Sequence, residues 1–509
     1  MTISQAPSRS TIPVADHQVG DTVFGFRIEA ITPIEDIKAL VYEGRHERTG
    51  ALVLHVHCHD DENMFSVGFR TPPPDSTGVA HILEHCVLAG SHQFPVKDAF
   101  NELGKRTLNT FLNAMTWPDR TIYPVCSAVR ADYFNLARVY ADLVFHPLLK
   151  PTTFQQEGHH LTFEAEEDPS TPLRVSGVVY NEMKGAYSAP ESRVYRALQQ
   201  ELLPETPYGV DSGGDPQAIP QLSYEQFCAF HRTYYSASNA RFLLYGNVSL
   251  ADNLAFLDEI LAPLDRVPVQ SDVPLQPSWS GPRIKEIAYP IGREDSTDAK
   301  TFHVLGWVVG ETRDLEQGLV LGIALAALVG SSASPLYQAL MASGLGQAVF
   351  PSGAAEEELR QGIVHIGMRG SEPQHAEALE RLILDTTREV VAKGLDREIL
   401  EGAFQRIEFA GKEMTPPFPI MLLVRANPSW YFDGDPKDGL AFGSAIDRIR
   451  KAWAEQPRLF EAALQRWLLE NPHRLRLTAR PSTTLAEEET AAFHAEMERR
   501  AATLTTEDR

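Results

Sequence analysis

Apolar and polar positions alternate with period two along much of the first seventy residues. Phe24, Phe26 and Ile28 fall on one side of such a pattern, and 39–42, 51–57 and 64–69 continue it, which predicts a run of strands. The period then changes. After the stiff loop Thr71-Pro72-Pro73-Pro74-Asp75-Ser76-Thr77-Gly78, the stretch 79–88 places Ile82, Leu83 and Val87 at helical spacing, with Ser76 or Thr77 as N-cap and Gly90 near the helix end. Helical spacing also marks 98–103, 133–144, 154–163, 193–203 and 224–235, while 108–116 and 240–245 read as strands. Residues 261–282 hold Pro263, Pro268, Pro274, Pro277 and Pro282, a linker composition. Beyond them the style repeats: strand 301–309, helices 316–329 and 335–342, strand 362–368, then helices 374–393 and 396–412.

This pattern predicts an α+β chain of two similar domains, each a mostly antiparallel sheet with packed helices. The expected division is a loose N-terminus at 1–20, a first domain at 21–262, a linker at 263–295, a second domain at 296–482 and a charged helix at 483–509. A chain of 509 residues exceeds one ordinary core, in keeping with that division.

Composition narrows the function classes. The hydrophobic fraction of 43% and charged fraction of 22% are those of a soluble globular protein. The longest apolar run, 318–330, is too short to span a bilayer. A net charge of −22 argues against nucleic acid and anionic membranes as partners. The first 25 residues carry neither a secretory signal pattern nor an Arg-rich transit peptide, so a bacterial-type cytoplasmic protein is expected. Cys58, Cys86, Cys126 and Cys228 have no C-x-x-C spacing and suggest packed thiols rather than a disulfide framework or a ribbon-type metal site.

The chemistry concentrates in His81-Ile82-Leu83-Glu84-His85. On a helix, positions i, i+3 and i+4 share a face, so His81, Glu84 and His85 point the same way. Two imidazoles one turn apart suit Zn²⁺, and a carboxylate beside them can take a proton from a water at the metal. This H-x-x-E-H order is the inverse of the zincin helix. A catalytic zinc wants a third protein ligand, and Glu182, in Asn181-Glu182-Met183-Lys184-Gly185, is the candidate. His55, His57 and His59 would also share one strand face, a weaker metal candidate, and Glu157, His159 and His160 read as surface or supporting groups.

These stretches resemble the pitrilysin-like metallopeptidases, most closely their presequence-protease branch. The likeness runs through Asp75-Ser76-Thr77-Gly78 and the helix after it, Thr110-Phe111-Leu112-Asn113-Ala114-Met115-Thr116, Tyr123-Pro124, Phe145-His146-Pro147-Leu148-Leu149 and Gln156-Glu157-Gly158. It continues through the Glu182 motif, Ser212-Gly213-Gly214-Asp215-Pro216 and Ser238-Asn239-Ala240-Arg241-Phe242. It implies a zinc endopeptidase for short unfolded peptides, with one Zn²⁺ per chain on His81, His85 and Glu182, and Glu84 as general base. Asn113 and Ala114 would pair with the substrate backbone, and Asn181 would help orient a ligand. Full-length members of the branch have two further domains that close over the site and supply an Arg and a Tyr. The resemblance therefore implies half of such an enzyme: a truncation, a split subunit needing a complementary chain, or a homodimer, docking through the helix at 485–503. A non-catalytic peptide-binding or assembly subunit on the same fold is the alternative.

Overall fold

The computed structural model describes residues 11–353, 358–413, 418–505 and 507. Two sheets organise them. The first has nine strands, and its central order is Leu52–His57, Ala240–Gly246, Asn63–Arg70, Arg120–Ser127 and Asn109–Leu112. The second has five, in the order Arg283–Pro290, Arg474–Ser482, Thr301–Glu311, Gln361–Ser371 and Ala348–Gly353. In each sheet the last strand of the segment inserts between two earlier ones. Ala240–Gly246 runs parallel to Leu52–His57 and antiparallel to Asn63–Arg70. Arg474–Ser482 repeats this, parallel to Arg283–Pro290 and antiparallel to Thr301–Glu311. The two domains thus share one topology, and each sheet is mostly antiparallel.

Both faces of each sheet are covered, and the strands carry apolar side chains on both sides accordingly. Phe65, Val67, Phe242 and Leu244 turn to a core shared with the helices Val79–Val87 and Arg130–Phe145. Met64, Leu243 and Tyr245, on the opposite face, meet Leu422, Leu423, Ala426 and Trp430 of the helix Phe418–Trp430, which comes from the C-terminal part of the chain. The exchange is reciprocal. The outer face of the second sheet, with Val304, Val308 and Leu477, packs on Val194, Leu198 and Leu202 of the helix Pro190–Leu202 from the N-terminal part. Two glycines make room for this. A Cβ at Gly68 would lie 2.0 Å from the Tyr431 hydroxyl, and one at Gly306 would lie 2.6 Å from Leu198. Arg70 and Arg241, both on the first sheet, reach across to the loop after Phe418–Trp430. They donate to the Tyr431 and Trp430 carbonyls and share the Asp433 carboxylate.

The pattern-based reading needs four corrections. Phe24 is not in a strand but in a tight turn at φ 45°, because Gly25 follows it and Val23 pairs back with Phe26. The helix expected over 154–163 is Pro151–Glu157, which ends at Gly158, and His160–Phe163 then pairs as a strand with Leu173–Ser176. The strand expected over 108–116 is Asn109–Leu112 and Met115–Thr116, interrupted at Asn113 and Ala114. Within the stretch read as linker, Arg283–Pro290 forms the edge of the second sheet. The helix Leu485–Thr503 is found as expected and is mostly exposed, with one side anchored to the first domain. Its Met497 is buried in the first core, Glu489 holds Arg193 through two hydrogen bonds, and Arg500 donates to the Pro220 carbonyl. Of the N-terminal stretch read as loose, residues 1–10 lie outside the described residues. Among the described residues no helix is long and apolar enough to cross a membrane.

Candidate metal centre and its groove

The helix Val79–Val87 starts at Gly78, whose φ of 68° is left-handed, so glycine rather than Ser76 or Thr77 is the N-cap. The hydroxyl residues serve otherwise. Thr77 donates from both its N–H and its hydroxyl to Asp75, and Ser76 binds the loop 211–215 through its carbonyl and its hydroxyl. The helix buries Val79, Ala80, Ile82, Leu83, Cys86 and Val87, which leaves His81, Glu84 and His85 on the open side. The Glu182 helix, Val178–Ala186, does the same with Val179, Tyr180 and Met183, so Glu182 stays exposed and faces the histidines.

The three donors meet. Glu182 Oε1 lies 3.8 Å from His81 Nε2 and its Oε2 lies 3.9 Å from His85 Nε2. One ligand atom from each falls within 4.8 Å of the others, the sole such cluster of three or more among the described residues. The imidazole tautomers are set from behind. His81 Nδ1–H donates to the Gly213 carbonyl at 3.0 Å, and an oxygen of that kind can only accept, so Nε2 carries the lone pair. His85 Nδ1–H donates to Glu157 at 3.2 Å with the same result. Burial disfavours a charged His85 ring, but the Glu157 hydrogen bond and the charges of Glu84, Glu157 and Glu182 outweigh it and raise its pKa. Two Nε2 lone pairs and a carboxylate, each imidazole backed by an acceptor, are donors whose chemistry suits a metal ion such as Zn²⁺.

Glu84 is not part of that cluster. Its Oε2 accepts a 2.8 Å hydrogen bond from the Thr116 hydroxyl. Burial drives the neighbouring Cys86 thiol well above its usual pKa, in keeping with a packed, unreactive role. Asn181 is exposed, and among the described residues the hydrogen bonds behind the two imidazoles come from elsewhere. Glu157 and the Gly213 carbonyl do so instead. Sequence signals for them were the motifs around each, but not their pairing, which needs the folded chain. The His55, His57 and His59 face does not form a metal cluster. His55 is wholly buried with neither ring nitrogen hydrogen-bonded, and His57 Nδ1–H donates to the Gly246 carbonyl.

The donors sit where two cavities adjoin. One of about 600 Å³ is lined by Glu84, His85, Leu88, Phe100, Asn113 and Glu157. The other, about 520 Å³, is lined by His81, Glu84, Thr116, Trp117, Glu182 and Glu358, the last from the second domain. Glu84, His85 and Ala114 line both, and the segment from Asn109 to Thr116 runs along them as the edge of the first sheet. Its outer side pairs with no strand among the described residues.

Comparison with known proteins agrees with this arrangement. The model of the insulinase family, peptidase family M16, matches residues 64–192, and that of the peptidase M16 inactive domain matches 221–407. Protein HypA of Clostridium perfringens is 36% identical over 480 residues, covering 93% of this chain and 49% of that protein. Presequence protease 1, chloroplastic/mitochondrial, of Arabidopsis thaliana is 39% identical over 481 residues, covering 92% and 44%. The chain thus spans about half the length of these curated relatives. Among solved structures, a peptidase M16 inactive domain from Pseudomonas fluorescens aligns with a TM-score of 0.64 at 17% identity, over 87% of this chain and 98% of that one. His81, His85 and Glu182 all fall in the stretch matched by the insulinase model and outside that matched by the inactive-domain model.

Proposed function

The chain belongs to the M16 peptidase family, and from that premise we propose that it carries the zinc centre of an endopeptidase that hydrolyses short, unfolded peptides. The observation that supports this most directly is the convergence of His81, His85 and Glu182, with both imidazoles presented through Nε2. Bound there, zinc would polarise the scissile carbonyl and acidify a water. Glu84, beside the donors but held by Thr116, takes the proton from the attacking water and passes it to the leaving amine. Gly213 and Glu157 keep the two imidazoles in the metal-binding tautomer throughout. The segment around Asn113 and Ala114 binds substrate by strand addition, which reads main-chain groups and so requires an unpaired, extended peptide.

Glu84→Gln is the first test. It should lower turnover by about 10²–10⁴ while zinc stays bound. A variant that lost metal as completely as His81→Ala would make Glu84 a ligand and overturn the assignment. Digestion of a folded protein and of its denatured form, side by side, checks the substrate class, since equal rates would contradict strand addition.

The groove is open to solvent, and the relatives above are about twice as long. We assign its closure, and the stabilisation of the oxyanion, to a complementary half supplied by another segment or by a second chain, different or identical. The chain alone should then bind zinc and turn over peptide feebly, and a mass measurement in solution together with activity on mixing identifies the partner. Full activity from a demonstrated monomer of these 509 residues would refute this.

A further inference from the structure

Glu84 has a single hydrogen-bond partner among the described residues, the Thr116 hydroxyl. Thr116 closes the short strand Met115–Thr116, which pairs with Arg120–Ser127 through Thr116 opposite Thr121. The turn between them, Trp117-Pro118-Asp119-Arg120, is closed by the Trp117 N–H donating to the Arg120 carbonyl. Turns at sheet edges are ordinarily solvated. This one is not: Asp119 and Arg120 are each 2% exposed.

What encloses the turn comes largely from the second domain and its neighbours. Arg120 donates to Asp119 at 2.7 Å and to the Glu358 carbonyl at 2.9 Å. Its guanidinium lies over the rings of Trp117, Tyr431 and Phe432. The second oxygen of Asp119 accepts from the Tyr208 hydroxyl at 2.5 Å, and that hydroxyl accepts in turn from the Arg360 N–H at 2.7 Å. A buried ion pair of this kind contributes little net stability, yet removing one partner is costly, so its geometry is fixed.

We propose that Thr116 is a positioning residue for Glu84, and that the metal-free domain holds it in place through the buried Asp119–Arg120 turn. This rests on the role of Glu84 given above. A carboxylate on a two-carbon stem has free rotation at three bonds, and a base must keep its oxygen at hydrogen-bond range of the proton it takes. The Thr116 hydroxyl occupies one oxygen and leaves the other for water. The second domain thereby acts on the chemistry without supplying a group to it.

Thr116→Val keeps the shape and deletes the donor, while Thr116→Ser keeps the donor. The expected result is a fall in kcat of about tenfold or more for Thr116→Val, with KM and zinc content unchanged, and near-complete rescue in Thr116→Ser. Crystal structures of the metal-free variants should show the Glu84 carboxylate in place with Ser and displaced with Val. Tyr208→Phe, which cuts the link between Asp119 and Arg360, should lower kcat too, and should lower it no further in a Thr116→Val background. A Thr116→Val protein that keeps both its kcat and its Glu84 position overturns the positioning role. Additive losses in the double variant overturn the part assigned to the second domain. If the wild-type chain cleaves no peptide with or without a partner, the proposed function fails, and the crystallographic comparison still decides whether Thr116 places Glu84.

Discussion

The five central strands of the first sheet and the five of the second run in the same order, and the domains differ in what the helix after the third strand of that order presents. In the first domain that helix is Val79–Val87, which shows His81, Glu84 and His85 to a groove. In the second it is Leu315–Val329, which buries Leu319, Leu321, Ile323, Ala324, Leu325, Leu328 and Val329 and has no ionisable residue after Glu316. The helices that meet these two differ in the same way. Val178–Ala186 brings Glu182, whereas Arg397–Lys412 brings Ile407 and Ala410 to a cavity of about 330 Å³ with Leu319, Leu321 and Phe442. Each domain has a concavity beside the helix that follows the third strand of its order, and only the one beside Val79–Val87 gathers three metal-type donors among the described residues. The second domain serves as scaffold, through the helix it lends to the first sheet and the enclosure of the Asp119–Arg120 turn.

Four experiments break or sharpen this contrast. The largest effect should come from His81→Ala or Glu182→Ala, which on the proposed function lowers zinc from about one per chain to none by elemental analysis, while Leu321→Ala leaves it unchanged. A residual zinc in His81→Ala would reveal a site in the second domain. Next, Leu422→Ala and Leu198→Ala each delete a fully buried side chain at one of the two reciprocal contacts. Each should cost about 2–5 kcal/mol in denaturant unfolding, and a much smaller cost at one of them would show the exchange to be lopsided. Glu157→Gln keeps a hydrogen-bonding group behind His85 but removes its charge. Zinc affinity should fall about 10- to 100-fold in a chelator competition, with turnover at saturating zinc largely kept.

The smallest effect is a pH dependence. Burial works against charge on Asp433, but the hydrogen bonds and charges of Arg70 and Arg241 outweigh it, so its folded pKa is depressed. Its contribution to stability is then complete above the ordinary aspartate range and is lost as pH falls through the depressed value. Because Asp433 is more than half exposed, the effect is modest. Unfolding midpoints measured from neutral to acid pH should fall less steeply in Asp433→Asn than in the wild type, and parallel curves would contradict the linkage.

Much of this was legible in the sequence because the signals were local. The helix over 335–342 is found as Pro335–Ala342, with Pro at its first position, and the helices around 316–329, 376–393 and 397–412 follow their apolar spacing. The cluster of His81, His85 and Glu182 followed from helix geometry for the first two and from resemblance for the third. What was not legible depended on the partner across space. Arg283–Pro290 is half exposed, and with Ile284 on one face and Ile287 and Tyr289 on the other its apolar residues keep no strict alternation; it is a strand because Arg474–Ser482 lies beside it. Phe418–Trp430 carries Pro428, a helix breaker by propensity, and packing of Leu422, Leu423 and Ala426 on the first sheet overrides that preference. Glu157 looked like a surface group for the same reason: nothing in 151–157 tells that His85 lies opposite.

The reciprocal loan of helices also bears on how the molecule comes apart. Each sheet completes one of its two faces with chain that belongs to the other, so neither can melt without stripping the other of its cover. Calorimetry should accordingly record one endotherm whose calorimetric and van't Hoff enthalpies agree, rather than two. A fragment severed in the proline-rich stretch 263–282 would hold every zinc donor yet lack Phe418–Trp430. It would present Leu54, Val56, Leu243 and Tyr245 as a naked apolar surface, the hallmark of a chain that aggregates before it can be studied.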